Sequence, residues 1–155
     1  MPKQDIPFPE CIELLKGAEY GYLAMSMYNQ PYVIPVNFYY DDSEKIYIHT
    51  GPEGQKIDYL SFNPTVCLAV SEAGQKAWKG SKPCSYTYPF WSVLVYGTTR
   101  LITEGPEKKA VLEKLVGKYR ETETEPLTDT DLKKVVIIEI EFKEVFGRRN
   151  TVSEN

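Results

Sequence analysis

The segment Thr50-Gly51-Pro52-Glu53-Gly54-Gln55-Lys56 places a hydroxyl, two glycines and a lysine where an extended run gives way to a helical one. A helix that begins at about Gln55 leaves its first N–H groups unsatisfied and turns the positive end of its dipole outward. Lys56 adds a full charge beside those donors, with Gln55 next to it, and Thr50 adds a hydroxyl. That combination suits a phosphate. The GxxxxGK[ST] spacing of a Walker loop is absent. An ordinary strand-to-helix turn with an exposed lysine accounts for the same residues.

A second candidate is 31–37, where Pro35 sits inside a β-like run beside Val36 and Asn37. Proline breaks a ladder, so the strand is at an edge or bulged there. Freed backbone amides and the Asn37 side chain suit an aromatic heterocycle with donors and acceptors. A proline-protected edge strand is the competing reading. His49 is the single histidine. In its strand Ile46 and Ile48 face one way, Tyr47 and His49 the other. With no Asp, Glu or Cys clustered around it, it makes no metal site. Residues 84–92, which include Trp91 and Ser92, are dense in aromatics that suit a planar ligand, a subunit contact or a packed strand. Cys84 has only Lys82 nearby to activate it, and no nucleophile elbow supports a catalytic triad.

The elements that must carry these residues follow from periodicity. Apolar spacing, Pro9 and Gly17 predict a short helix over 9–17. Strands are expected over 20–27, 31–40 and 45–50, joined by polar turns into an antiparallel meander. A helix follows over 55–62, closed by Asn63-Pro64, then an apolar strand over 65–71. Residues 72–85 read as a long loop, and 86–102 as the longest β-like run, with Pro89 marking an edge or a late start. An amphipathic helix spans 106–119, with Ala110, Val111, Leu112, Leu115 and Val116 on its apolar side. A charged linker covers 120–130, and the final strand is VVIIEIEF, within 132–145. This is a mainly β pattern of about six strands with two or three helices, an antiparallel barrel rather than a βαβ stack.

Composition narrows the function. A chain of 155 residues fits one domain, with an N-terminal arm over about 1–8 and a C-terminal tail over about 148–155. The 12 tyrosines favour pleated, half-buried surfaces and interfaces. A net charge of −4 argues against nucleic-acid binding. Three widely spaced cysteines without a CxxC suggest neither disulfides nor zinc, and fit a reducing cytoplasm. No signal peptide and no membrane span are expected.

Taken in order, PYVIPVNFYY, IYIHTGPEGQKIDYL, NPTVCLAV and FWSVLVYGTTRLI resemble the FMN-binding split-barrel family. The branch is similar to the pyridoxamine 5'-phosphate oxidase-related proteins that include nitroimidazole reductases. The resemblance covers about 11–147 and is carried most by IYIHTGPEGQK. It implies a six-stranded antiparallel split barrel that works as a homodimer, with FMN at the interface. It implies that Thr50 and Lys56 bind the phosphate, with Gln55 beside them. Pro35, Val36 and Asn37 run along the isoalloxazine edge, His49 lies near the flavin, and Trp91 and Ser92 belong to the cofactor site. Arg148 is a further residue within reach of the pocket. The basic residues with which vitamin B6 oxidases hold a substrate phosphate have no equivalent here. The function implied is an FMN-dependent oxidoreductase that reduces a small electrophile such as a nitro-aromatic compound. A non-enzymatic flavin carrier or redox sensor is the alternative, and a haem-binding split barrel a third.

Overall fold

A long antiparallel sheet curls around an apolar interior. The structure is a computed structural model and describes residues 3–78 and 80–150. Its elements run β1 (Gln4–Ile6), α1 (Phe8–Gly17), β2 (Tyr20–Met27), β3 (Gln30–Asn37), β4 (Tyr39–Tyr40), β5 (Lys45–Thr50), α2 (Gln55–Phe62), β6 (Thr65–Ala73), β7 (Ala77–Trp78), β8 (Tyr86–Thr87), β9 (Phe90–Ile102), α3 (Pro106–Tyr119), α4 (Asp129–Lys133) and β10 (Val136–Asn150). The main sheet has the order β3-β2-β6-β9-β10-β5-β4, with β1 added to the far end of β10. The six long strands are those expected. Four short strands of two or three residues join them.

Inward side chains alternate along every long strand. Leu23, Val36, Ile46, Ile48, Leu68, Val93, Val95, Ile138 and Ile140 form the barrel core. Each fully buried side chain of this kind is worth about 1.5–3 kcal/mol. On the outer face of β5, β9 and β10, Tyr47, Ile102 and Ile137 meet Val111, Leu112 and Leu115 of α3. Val111, Leu112 and Leu115 are the buried part of the predicted apolar side, while Ala110 is exposed. Glu139 is buried between these layers and is held by Arg100 at 2.8 Å, which also binds Glu107 of α3 at 2.8 Å. A buried carboxylate is tolerated only when paired, so this link fixes the start of α3 to the sheet.

The helices over 55–62 and 106–119 and the strands over 20–27 and 45–50 stand at their predicted bounds. Four differences have physical causes. The loop expected over 72–85 is shortened, because β6 runs on to Ala73 and β7 pairs with β8, stacking Trp78 on Tyr86 at 5.7 Å. The 120–130 linker gives way to α4, announced by a capping box in which Thr128 and Asp131 exchange hydrogen bonds. The arm and tail are partly structured: Gln4–Ile6 pairs with β10, which continues past a bulge between Phe142 and Glu144 to Asn150. Residues 1–2 and 151–155 of that arm and tail lie outside the described residues.

The fourth difference is the break of the predicted 31–40 strand at Phe38. Both backbone groups of Phe38 are captured by the last turn of α3. Its N–H donates to Tyr119 Oη at 3.0 Å, and its carbonyl accepts from Lys118 Nζ at 2.7 Å. With those groups committed, the ladder with β2 stops at Asn37, and from Tyr39 the chain pairs with β5 instead.

Burial pushes the Lys118 amine down to about 8, from an ordinary value of 10.5. Below pH 8 the ammonium is charged in both folded and unfolded chains, and its burial penalty is fully present. Above that pH the unfolded chain binds the extra proton, so this contribution grows more favourable as pH rises. Urea unfolding at about pH 8 and about pH 9.5 is expected to give wild type a stabilising increment that Lys118→Met lacks. Identical pH responses of the two proteins would contradict this assignment.

Candidate functional site

The end of β5 and the start of α2 form one half of the site. Thr50 is buried and lies opposite Val136 in the ladder, whereas His49, opposite Ile137, is exposed. The chain then turns through Gly51, Pro52, Glu53 and Gly54. Gly54 adopts φ 123° and ψ 178°, a conformation essentially confined to glycine, with open space around its Cα. No side chain caps α2. The Asp58 N–H bonds to the Gly54 carbonyl, so the N–H groups of Gln55, Lys56 and Ile57 have no intrahelical acceptor. Lys56 is partly buried and forms no ion pair among the described residues. The acids of this loop and first turn, Glu53 and Asp58, are exposed. A hydroxyl, an uncapped helix start and a lysine without an acidic partner thus lie along one seven-residue stretch, and this donor set fits a phosphate.

α2 is held in place by aromatic packing. Tyr59 sits 5.1 Å from Tyr32 of β3, and Phe62 4.2 Å from Tyr28. Asn63 donates to Ser26 at 3.2 Å. The strip of Pro35, Val36 and Asn37 lies on β3, an edge strand, in unbroken register with Tyr22, Gly21 and Tyr20. Pro35 therefore marks an edge and not a bulge. Val36 points into the barrel, while Pro35 and Asn37 are exposed. β4 pairs with β5 through Tyr39–Tyr47 and Tyr40–Ile46. Carrying that register back along the chain sets Asn37 level with His49, where β3 and β5 approach each other. Chain continuity keeps Pro35 and Val36 beside Asn37, and Thr50, Gln55 and Lys56 on the segment that follows His49.

Trp91 and Ser92 lie three strands along the sheet from Asn37. They open β9, between Glu72 and Ser71 of β6 and Arg149 and Arg148 of β10. Toward β5, it is Ile102 at the other end of β9 that lies level with His49, through Ile137. The other way round, β6, β2 and β3 intervene, four strand spacings or about 19 Å of sheet. Trp91 instead lines a cavity of about 580 Å³ with Leu14, Tyr20, Glu13, Glu19 and Glu72. Ser92 and Arg148 line another of about 640 Å³.

Two features escaped sequence reasoning. Arg148 and Arg149 are strand residues rather than tail, ion-paired to Asp5 at 3.7 Å and to Glu10 respectively. The apolar pair Val145–Phe146 beyond the bulge was the available signal. The second feature is the outer face of β3, β2, β6, β9 and β10. It exposes Val33, Tyr20, Tyr22, Tyr96 and Phe146, each by 41–57%. Tyr96 and Phe146 meet edge to face at 5.9 Å. Cys67 also lies on this face. Burial pushes its thiol up, as it does that of Cys11, so neither is activated as a nucleophile.

Residues 9–149 match the model of the family described as pyridoxamine 5'-phosphate oxidase. The chain belongs to this family. An uncharacterized protein of Rhizobium meliloti (strain 1021), RA0666, is 34% identical over 71 residues, covering 45% of this chain and 46% of that relative. A candidate 5-nitroimidazole antibiotic resistance protein of Bacteroides thetaiotaomicron has a TM-score of 0.80 at 23% identity, covering 96% of this chain and 89% of that one. The flavocytochrome Anf3 of Azotobacter vinelandii has a TM-score of 0.83 at 18% identity, covering 97% and 70%. A FAD-binding protein of Mesorhizobium loti has a TM-score of 0.70 at 25% identity, covering 97% and 100%. The family and these neighbours share the split-barrel fold, and flavin binding recurs among them.

Within this family member, Gly54 sets where α2 begins. Gly54→Ala is expected to cost about 1–3 kcal/mol of stability in urea unfolding, because it forces a non-glycine residue into this conformation. A variant as stable as wild type would show that the turn relaxes without cost.

Proposed function

We propose that the chain is a cytoplasmic, homodimeric flavin-dependent oxidoreductase that reduces a small electrophile such as a nitro-aromatic compound. The observation that carries this reading is the uncapped start of α2, flanked by Thr50 and Lys56 and set beside the exposed edge of β3. Thr50, Gln55, Lys56 and the free N–H groups hold the phosphate of FMN, or the equivalent phosphate of FAD. Pro35, Val36 and Asn37 line the ring edge, and the edge strand offers backbone groups that no neighbouring strand uses. His49, exposed at the same opening, stands toward the ring. When bound, the flavin supplies the hydride or electron transfer, and the protein supplies binding, orientation and electrostatics. The free thiols Cys11, Cys67 and Cys84 fit a reducing compartment, and no helix among the described residues is long and apolar enough to cross a membrane.

The second copy supplies Trp91 and Ser92. The sheet distance between them and His49 in one chain supports this, and the exposed face carrying Tyr20, Tyr22, Tyr96 and Phe146 is the surface that would be covered. The cavity beside Trp91 carries Glu13, Glu19 and Glu72 and no basic residue. Such a wall disfavours a phosphorylated substrate, which separates this chain from vitamin B6 chemistry.

Three measurements test the reading. Purified protein is expected to show a flavin spectrum, bleached by a reduced nicotinamide and restored by a nitro-aromatic acceptor. A colourless protein that takes up neither FMN nor FAD would overturn the assignment, and a bound flavin that no reductant bleaches would make it a carrier. Lys56→Ala removes a charge-assisted contact worth about 1.5–3 kcal/mol, so flavin affinity is expected to fall about ten- to hundredfold. An unchanged dissociation constant would remove Lys56 from the site. Tyr96→Lys is expected to convert dimers to monomers in sedimentation and to release flavin. A dimer of unaltered mass would place the interface elsewhere.

A further inference from the structure

Lys118 and Tyr119 stand outside the site described above, yet their polar atoms are directed at the backbone next to it. Phe38 follows Asn37 directly. Its N–H donates to Tyr119 Oη at 3.0 Å, and its carbonyl accepts from Lys118 Nζ at 2.7 Å. The same two side chains reach the neighbouring strand. Lys118 Nζ donates to the Ala18 carbonyl at 2.8 Å, and Tyr119 Oη donates to that of Glu19. Ala18 and Glu19 lead into Tyr20, the residue that pairs with Asn37. The rung between Tyr20 and Asn37 is therefore gripped at both of its ends by one turn of α3.

The grip is rigid. The Phe38 side chain is fully buried, and the Lys118 ammonium lies 4.1 Å from its ring centroid. A charge at that distance from an aromatic face is attracted to it. These bonds also replace the strand partners that Phe38 would otherwise have. They end β3 at Asn37 and so set where the exposed edge stops. A cross-link whose only role was stability has no need to fall at this break.

On the flavin reading given above, we infer that Lys118 and Tyr119 are positioning residues of the flavin site. They fix the backbone of Val36 and Asn37 at the height and angle that the ring edge requires. They touch neither the flavin nor the substrate and act through Phe38.

The test titrates FMN and FAD into the purified full-length chain and its variants, records the bound-flavin spectrum, and measures the thermal midpoint without flavin. Tyr119→Phe removes the acceptor for the Phe38 N–H and is expected to raise the flavin dissociation constant about three- to tenfold, the share of that bond which reaches the site. It is also expected to shift the bound-flavin absorption band. Lys118→Met is expected to do the same, and Lys118→Arg to restore both readouts. Val111→Ala serves as the control: it loosens α3 through lost packing and touches no group of Phe38. It is expected to lower the thermal midpoint while leaving the dissociation constant and spectrum at wild-type values. A Tyr119→Phe protein with wild-type affinity and spectrum would overturn the inference. So would a Val111→Ala protein that loses flavin affinity as Tyr119→Phe does at an equal drop in midpoint, because the role would then be structural alone. If wild type binds neither flavin, the flavin reading itself falls and takes this inference with it. The wild-type titration alone identifies that outcome.

Discussion

The antiparallel ladder between β9 and β10 is the constraint on which the other elements depend. It runs from the pair Ile102–Ile137 to the pair Phe90–Asn150, interrupted only by the bulge at Phe142–Glu144. β10 is long enough to serve two neighbours on its other side, β5 along its first half and β1 along Gly147, Arg148 and Arg149. Its alternation serves two cores as well. Ile138 and Ile140 fill the barrel, while Ile137 packs under α3 and Glu139 anchors Arg100 there. Because an antiparallel register fixes every side chain's face, a slip of one residue would turn both cores inside out.

The placement of the candidate site follows from that ladder. β5 is held against the first half of β10, so Thr50 and the loop to α2 emerge at one end. Trp91 and Ser92 are held against the last residues of β10, at the other end. On the proposed reading these are two half-sites, with a face of exposed aromatics between them. α3 adds a second constraint at the point where β3 gives way to β4, through Phe38. The geometry therefore couples a helix on the outside of the barrel to the edge strand that would meet the ring.

Much of this was legible in the sequence. α3 and the β5–α2 segment read clearly, because the apolar period is unambiguous and Gly, Pro and Asn punctuate its ends. The pairing of Thr50 with Lys56 across a glycine turn is local, so spacing alone revealed it. The break at Phe38 was not legible. It depends on Tyr119, 81 residues away, and on a backbone group that no side-chain pattern reports. The extension of β10 through Arg149 was hidden because its outward positions are charged, and its ion pairs with Asp5 and Glu10 form only once β1 and α1 are in place. The separation of Trp91 from Lys56 was hidden for the same reason. It is set by strand order, and strand order is tertiary.

The central claim is that one flavin site takes Lys56 from one copy and Trp91 from another. Mixing two defective proteins, Lys56→Ala and Trp91→Ala, after joint unfolding and refolding tests it directly. Each mixed dimer would hold one doubly altered site and one intact site. With random pairing about one quarter of all sites would then recover wild-type flavin affinity, as a two-fold symmetric dimer requires. A mixture that binds flavin no better than its two parents would contradict the claim, and would place the whole site within a single chain.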